Sequence, residues 1–372
     1  MINKSVRTVV KGLSSIPDWK TKRRIVVIES DDWGSLRMPS LESFRRLEES
    51  GINLRFSDAE GFNLNDNLAT SQDLEGLFEV LSSVKDSRGK HAVFTPVSIV
   101  ANPDFPKIKE SGFKDYFYEP FTETLKRSPA CENAFQLWKE GIEKNLFVPQ
   151  MHGREHVNVL AWMKGLQAGE KQTITAFEEG VWGFKPSSNH DLSYMAAFSV
   201  ADPGDLEYHE SVISEGLQLF EELFGYKAVF FVPPNGVINN SLNRVLAANG
   251  IKYRSGSRVQ SETLGTGKTR TRLHYHGQKD KHGIRYIIRN CVFEPYREKI
   301  DWVDTTMNQI NMAFRGHMPA IISTHRVSYV GALHPENRDR GLGQLSSLLK
   351  AIVKNWPDVE FMTTEELGAL MD

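Results

Sequence analysis

The sequence has only two cysteines, Cys131 and Cys291, far apart and outside any CxxC spacing. A chain of 372 residues needs no disulfide staple, so two buried thiols in a reducing compartment are expected. No stretch approaches the roughly 18 uninterrupted apolar residues of a membrane span. The first 24 residues carry positive charge but no continuous apolar run, so they do not read as a secretory signal, and a cytoplasmic location is expected. With a formal net charge of −2, there is no electrostatic case for nucleic acid or an anionic membrane as partner. The chain also lacks a fixed-period repeat, a low-complexity tract and a Pro/Gly/Ser-rich linker. One domain over residues 1–372 is expected, with an irregular Gly- and aromatic-rich stretch at about 158–205 lying over one end of the sheet.

What is present is a regular alternation. The segments 24–30, 91–100, 146–152, 227–235, 284–290 and 319–325 are short, apolar and often β-branched, bounded by turn residues, and are predicted strands. Helical patterns at 40–50, 71–89, 134–145, 210–225, 241–250 and 343–356 lie between them, the first with Ser40 as its N-cap. Strands alternating with helices imply parallel pairing and an α/β architecture. Strands apolar throughout suit a sheet covered on both faces or closed into a barrel.

The chemistry-bearing residues gather at predicted strand ends, where functional side chains converge in parallel α/β folds. The first strand runs into Asp31 and Asp32, two carboxylates that repel each other. In "MHGREHVN" (151–158), His152 and His156 are four apart. If a helix starts there, both imidazoles fall on one face and can share a metal. Asp32 is the candidate third ligand. A cation on Asp32 leaves Asp31 free as a base, which explains the pair. His325, closing the strand "IISTH", is a candidate proton donor. The segment "HGREH" also fits H-x-x-E-H, a helical metalloprotease signature. Pro149 and the apolar "LFV" before it argue against a helix interior, and that reading leaves Asp31 and His325 without a role.

The aspartate pair, the HxxxH, the proline strand end "FFVPPNG", the Asp301-Trp302 pair and the late His325 resemble, in that order, the polysaccharide deacetylase (NodB-homology) superfamily, over about residues 25–361. The resemblance implies a distorted (β/α)7 barrel binding one divalent ion, usually Zn²⁺. It also implies catalysis by Asp31 as base and His325 as acid, and metal ligation by Asp32, His152 and His156. Asp301 would then tune His325, and Trp302 would line the pocket. Trp33, Asn102 and Arg154 are further candidates for substrate contact, as are Pro234, Asn235 and Arg326. The implied activity is removal of an acetyl group from an N-acetylated sugar or polysaccharide precursor. A non-catalytic carbohydrate-binding barrel and an amidase for a small nitrogenous compound are the alternatives. Two departures from the family pattern stand out. Glu29-Ser30 replaces the usual Thr-Phe before the aspartates, and "FFVPPNG" has no arginine to hold the base. Arg37, Arg154 and Arg326 are the candidates for that arginine. Zinc is the default for a His₂Asp set, with cobalt, nickel and iron able to use the same atoms.

Overall fold

A computed structural model of the chain describes residues 17–55, 59–186 and 194–372. Part of the predicted irregular stretch, 187–193, and most of the N-terminal segment lie outside the described residues. Among the described residues the central sheet has nine parallel strands: β1 (Ile25–Trp33), β2 (Phe94–Ile99), β3 (Gln150–Gly153), β4 (Phe230–Phe231), β5 (Tyr253–Ser255), β6 (Arg285–Ile287), β7 (Cys291–Val292), β8 (Ala320–His325) and β9 (Glu360–Phe361). Their order is β6-β5-β4-β3-β2-β1-β8-β7, with β9 joining β1 at Ile25 and Val26.

The two edge strands of this order, β6 and β7, are separated in sequence only by Ile288, Arg289 and Asn290. So short a link reaches at most about 14 Å, so the sheet must curl until its edges nearly meet. The result is the distorted α/β barrel expected, with residues 288–290 as its closing seam.

The period-2 alternation of β1 sorts its side chains between inside and outside. Val26 and Ile28 pack with Leu77, Trp138, Ile310 and Leu348 from the surrounding helices. Ile25 and Val27 face inward, onto Val97, Phe230, Ile287 and Ile321. Glu29 and Asp31 continue the inward-facing series.

Helices cover the outside at Leu41–Glu49, Ser71–Ser82, Ala134–Glu143, Asp205–Phe224, Asn243–Ala248 and Pro335–Asn355, near the predicted positions. Ser40 caps the first as expected, its side chain accepting from the Ser43 N–H. The stretch expected to be irregular contains two helices, Val159–Gln167 and Lys171–Glu178, because Asn158 caps the first and Trp162, Leu166 and Phe177 give both an apolar face. No helix among the described residues is long and apolar enough to cross a membrane.

Candidate active site

In a regular strand the adjacent side chains of Asp31 and Asp32 would point to opposite faces. Here the β1–β2 register shifts between Ser30 and Trp33, and Asp32 takes a left-handed backbone with φ 73°. A bulge of this kind re-aims a side chain, and aspartate is one of the few residues besides glycine to tolerate that region. Both carboxylates therefore line one cavity of about 680 Å³. Beyond the bulge, Gly34 (φ +83) passes so close to β2 that a Cβ there would sit 2.2 Å from the Ile99 carbonyl oxygen. Asn102 clamps the same turn, accepting from Leu36 N–H at 2.9 Å and donating to the Gly34 carbonyl at 2.9 Å.

His152 is also re-aimed. The β2–β3 pairing skips from Ser98↔Met151 to Ile99↔Gly153, leaving His152 as the extra residue. Its Nδ1 lies 2.7 Å from the Val232 carbonyl. That contact occupies Nδ1 and leaves the other ring nitrogen, Nε2, facing Asp32, the arrangement that metal-binding histidines use. His156 is not on a helix, as the spacing suggested. It sits in the bend between β3 and the helix starting at Val159, with its ring stacked on Trp182 at 5.6 Å.

Asp32 Oδ1 lies 3.2 Å from Nε2 of each histidine. The candidate ligand atoms of all three residues lie within 4.8 Å of one another, and all three residues are buried. Burial raises the Asp32 pKa, but the contacts to His152 and His156 outweigh it and hold the carboxyl well below its usual range. Burial likewise pushes His156 below its ordinary value, towards neutral imidazole. An ionised carboxylate and neutral imidazoles are the forms a cation requires. Two nitrogens and one oxygen are a donor set that a divalent ion such as Zn²⁺ would accept.

Register puts the second pair of groups side by side, with Asp31 opposite His325 across β1 and β8 and Asp31 Oδ2 3.9 Å from His325 Nε2. Burial disfavours the His325 charge. Glu294, 2.5 Å from Nδ1, outweighs it and raises the pKa to about 10. Glu294 thus does what was expected of Asp301. The Asp301 carboxylate instead caps the helix Trp302–Arg315, accepting from the Asp304 N–H at 3.0 Å. Trp302 is core, packed into the outer apolar layer with its Nε1–H on the Arg297 carbonyl.

The arginine that grips Asp31 is Arg289, on the barrel seam. It grips Asp31 with two bonds of 2.7 and 2.6 Å and Glu29 with a third of 2.6 Å. Burial would raise the Asp31 pKa, but Arg289 holds it below the usual range. The two sequence departures answer each other. Glu29, one inward step below Asp31 and fully buried, anchors the guanidinium that the proline strand end lacks, while Thr364 Oγ1 donates to its other oxygen at 2.9 Å. Ser30 accepts from Trp33 Nε1–H at 2.9 Å, which ties that indole into the core beside Phe147 rather than into the cavity.

The three arginines considered from sequence are used elsewhere. Arg326 is fully buried on Asp66 and the Ser35 carbonyl. Arg154 forks onto Glu155, pairs with Glu215 and lies 4.2 Å over Tyr118. Glu155, the base of the rival protease motif, is thereby consumed in a buried ion pair. Arg37 does line the cavity, but its bonds run to Asn63 and Met195. Of the proline turn, Pro233 and Asn235 line the cavity and Pro234 does not. His274 and His276 are both buried, and His274 stacks on Tyr286 with ring centroids 4.0 Å apart. Arg289, Glu294 and Arg254 were missed. Glu294 and Arg254 lie on or beside two- or three-residue strands, too short for periodicity to register, whereas Arg289 falls within the predicted strand 284–290 and is brought to Asp31 only by closure of the sheet.

The chain matches no protein-family model and no curated protein. Solved structures similar to it include polysaccharide deacetylases. One described as a probable polysaccharide deacetylase from Pseudomonas aeruginosa shares 10% identity at TM-score 0.47, covering 94% of this chain and 91% of that one. An allantoinase, PuuE, shares 11% identity at TM-score 0.46, covering 95% and 92%. A 4-alpha-glucanotransferase from Thermococcus litoralis shares 11% at TM-score 0.46, covering 92% of this chain, which spans only 40% of that protein's length. At these values the likenesses carry no argument, and both fold and site rest on this chain's own geometry.

Proposed function

We propose that this single barrel domain is a metal-dependent hydrolase of amide C–N bonds, removing an acetyl group from an N-acetylated sugar or a precursor of a polysaccharide. The observation that carries this reading is the juxtaposition on one cavity of Asp32, His152 and His156 with Asp31 and His325, whose carboxylate and imidazole lie 3.9 Å apart. Asp32, His152 and His156 would hold the ion, most simply Zn²⁺. When bound, it supplies Lewis-acid polarisation of the acyl oxygen and lowers the pKa of a water. Asp31, oriented by Arg289, takes the proton from the attacking water. His325, kept charged by Glu294, gives its proton to the departing nitrogen. Pro233 and Pro234 offer no N–H, so Asn235 is the backbone donor we assign to the developing oxyanion. General acid–base help of this kind is worth about 10²–10⁴-fold.

A non-catalytic sugar-binding barrel is favoured less, because the arginine missing from the proline strand end is supplied by Arg289. The test is acetate release from N-acetylated sugars by the purified chain, compared with Asp31→Asn and His325→Ala. Loss of most turnover in folded variants supports the reading, and wild-type turnover in either one contradicts it.

A further inference from the structure

Four arginines line the cavity, and they fall into two classes. Arg289 carries Asp31 and Glu29. Arg258 forks onto Asp18 at 3.0 and 2.9 Å. Arg37 and Arg254 have no carboxylate partner among the described residues, although both are more than nine-tenths buried. Arg37 Nε donates to Asn63 at 3.0 Å and Nη2 approaches the Met195 sulfur. Its guanidinium lies 5.8 Å from the Trp182 ring, the ring that stacks on His156. The fold makes room for it, since a Cβ on Gly183 would come within 2.9 Å of Arg37 Nε. Arg254, within β5, donates to Asn243 at 2.6 Å and Gln260 at 3.1 Å and lies 4.8 Å over Tyr286. Its Nε–H is buried with no hydrogen-bond partner.

All of these partners are neutral. Carboxylates act on both only from beyond ion-pair distance, Asp66 and Asp32 on Arg37 and Asp280 and Glu262 on Arg254, and they do not offset burial. A buried guanidinium without a direct ion pair is unfavourable, and a ligand that brings an anion into contact relieves that state. Arginine forks match carboxylate and phosphate oxygens. The residues next to Arg254 in the cavity wall, Ser255, Gly256 and Ser257, are small and polar, leaving space for such a group. We propose that the cavity takes an acylated amide bearing a carboxylate or phosphate group, with Arg37 and Arg254 as its anion-binding residues. This deepens the hydrolase reading and rests on it for the identity of the reacting bond.

The test is calorimetric titration of the metal-loaded full chain with N-acetylglucosamine, N-acetylglucosamine 1-phosphate and N-acetylmuramic acid. At least one charged sugar should bind about tenfold or more tightly than the neutral one, with a preference that shrinks as salt rises. Whichever charged probe prevails identifies the group as phosphate or carboxylate. Arg37→Gln and Arg254→Gln should each remove most of the preference while metal content is unchanged. Equal binding of neutral and charged sugars by the unsubstituted protein overturns the proposal, independently of whether the Arg254 variant folds. So does a preference that survives both substitutions. Arginine-dependent preference without acetate release would sink the hydrolase reading and leave the anion site standing. Equal acetate release from neutral and charged sugars, at equal affinity, would do the reverse.

Discussion

Replacing Arg289 with methionine tests the arrangement at its most loaded point. This one side chain neutralises two buried carboxylates, Glu29 and Asp31, and it also bonds Ser323 Oγ at 3.1 Å. Removing one partner of a buried ion pair costs about 3–5 kcal/mol, because the remaining charge is left without compensation. The loss should depend on pH. Burial already raises the Glu29 pKa with the arginine in place; without it Glu29 rises further and Asp31, now held low by Arg289, rises above its unfolded value, so the folded state binds more protons. Stability is then retained below the unfolded carboxylate range, near pH 4, and declines as pH rises through the elevated folded values. Urea unfolding of Arg289→Met at pH 5 and pH 8 should show the larger deficit at pH 8. Adding Glu29→Gln should recover part of it, since one of the two stranded charges is gone. Turnover should be lost in both variants, because Asp31 would be protonated and misoriented. If Arg289→Met unfolds like wild type at pH 8, the reasoning about the seam is wrong.

Three other outcomes are expected. Glu294→Gln should bring the alkaline limb of the pH–rate profile down from the region of 10 towards the ordinary histidine value of 6.5, and an unmoved limb in a folded variant contradicts the His325–Glu294 pairing. The same pairing stabilises wild type fully below about pH 6.5, and this contribution should fade in unfolding measurements as pH rises towards 10, because the folded pKa is the higher one. Asp301→Ala should cost about 1 kcal/mol of stability as a lost helix cap and leave the pH profile where it was. A shifted profile would restore Asp301 to the site.

Much of the candidate site was legible because its residues stand at the ends of short apolar strands. Asp31, Asp32, His152 and His325 follow runs such as Ile25–Ile28 and Ala320–Ile322, whose composition announces a buried strand. What could not be read was how adjacent aspartates face one cavity, since a bulge and a positive φ at Asp32 leave no mark in composition. Trp33, Trp302 and Asn102 look like pocket residues by chemistry, but the first two fill the core and the third ties the turn at Gly34. Arg289 was hidden for a different reason. Its importance comes from barrel closure, which brings the two edges of the sheet together across three residues and cannot be deduced before the strand order is known.

The most direct measurement is the metal content of the purified full chain, by elemental analysis, beside that of Asp32→Asn and His152→Ala. The account predicts about one equivalent of a divalent ion in wild type, lost from both variants while their folds persist. A wild-type protein that holds no divalent ion and takes up none on incubation, or variants that keep it, would contradict the claim that these three side chains form a metal centre.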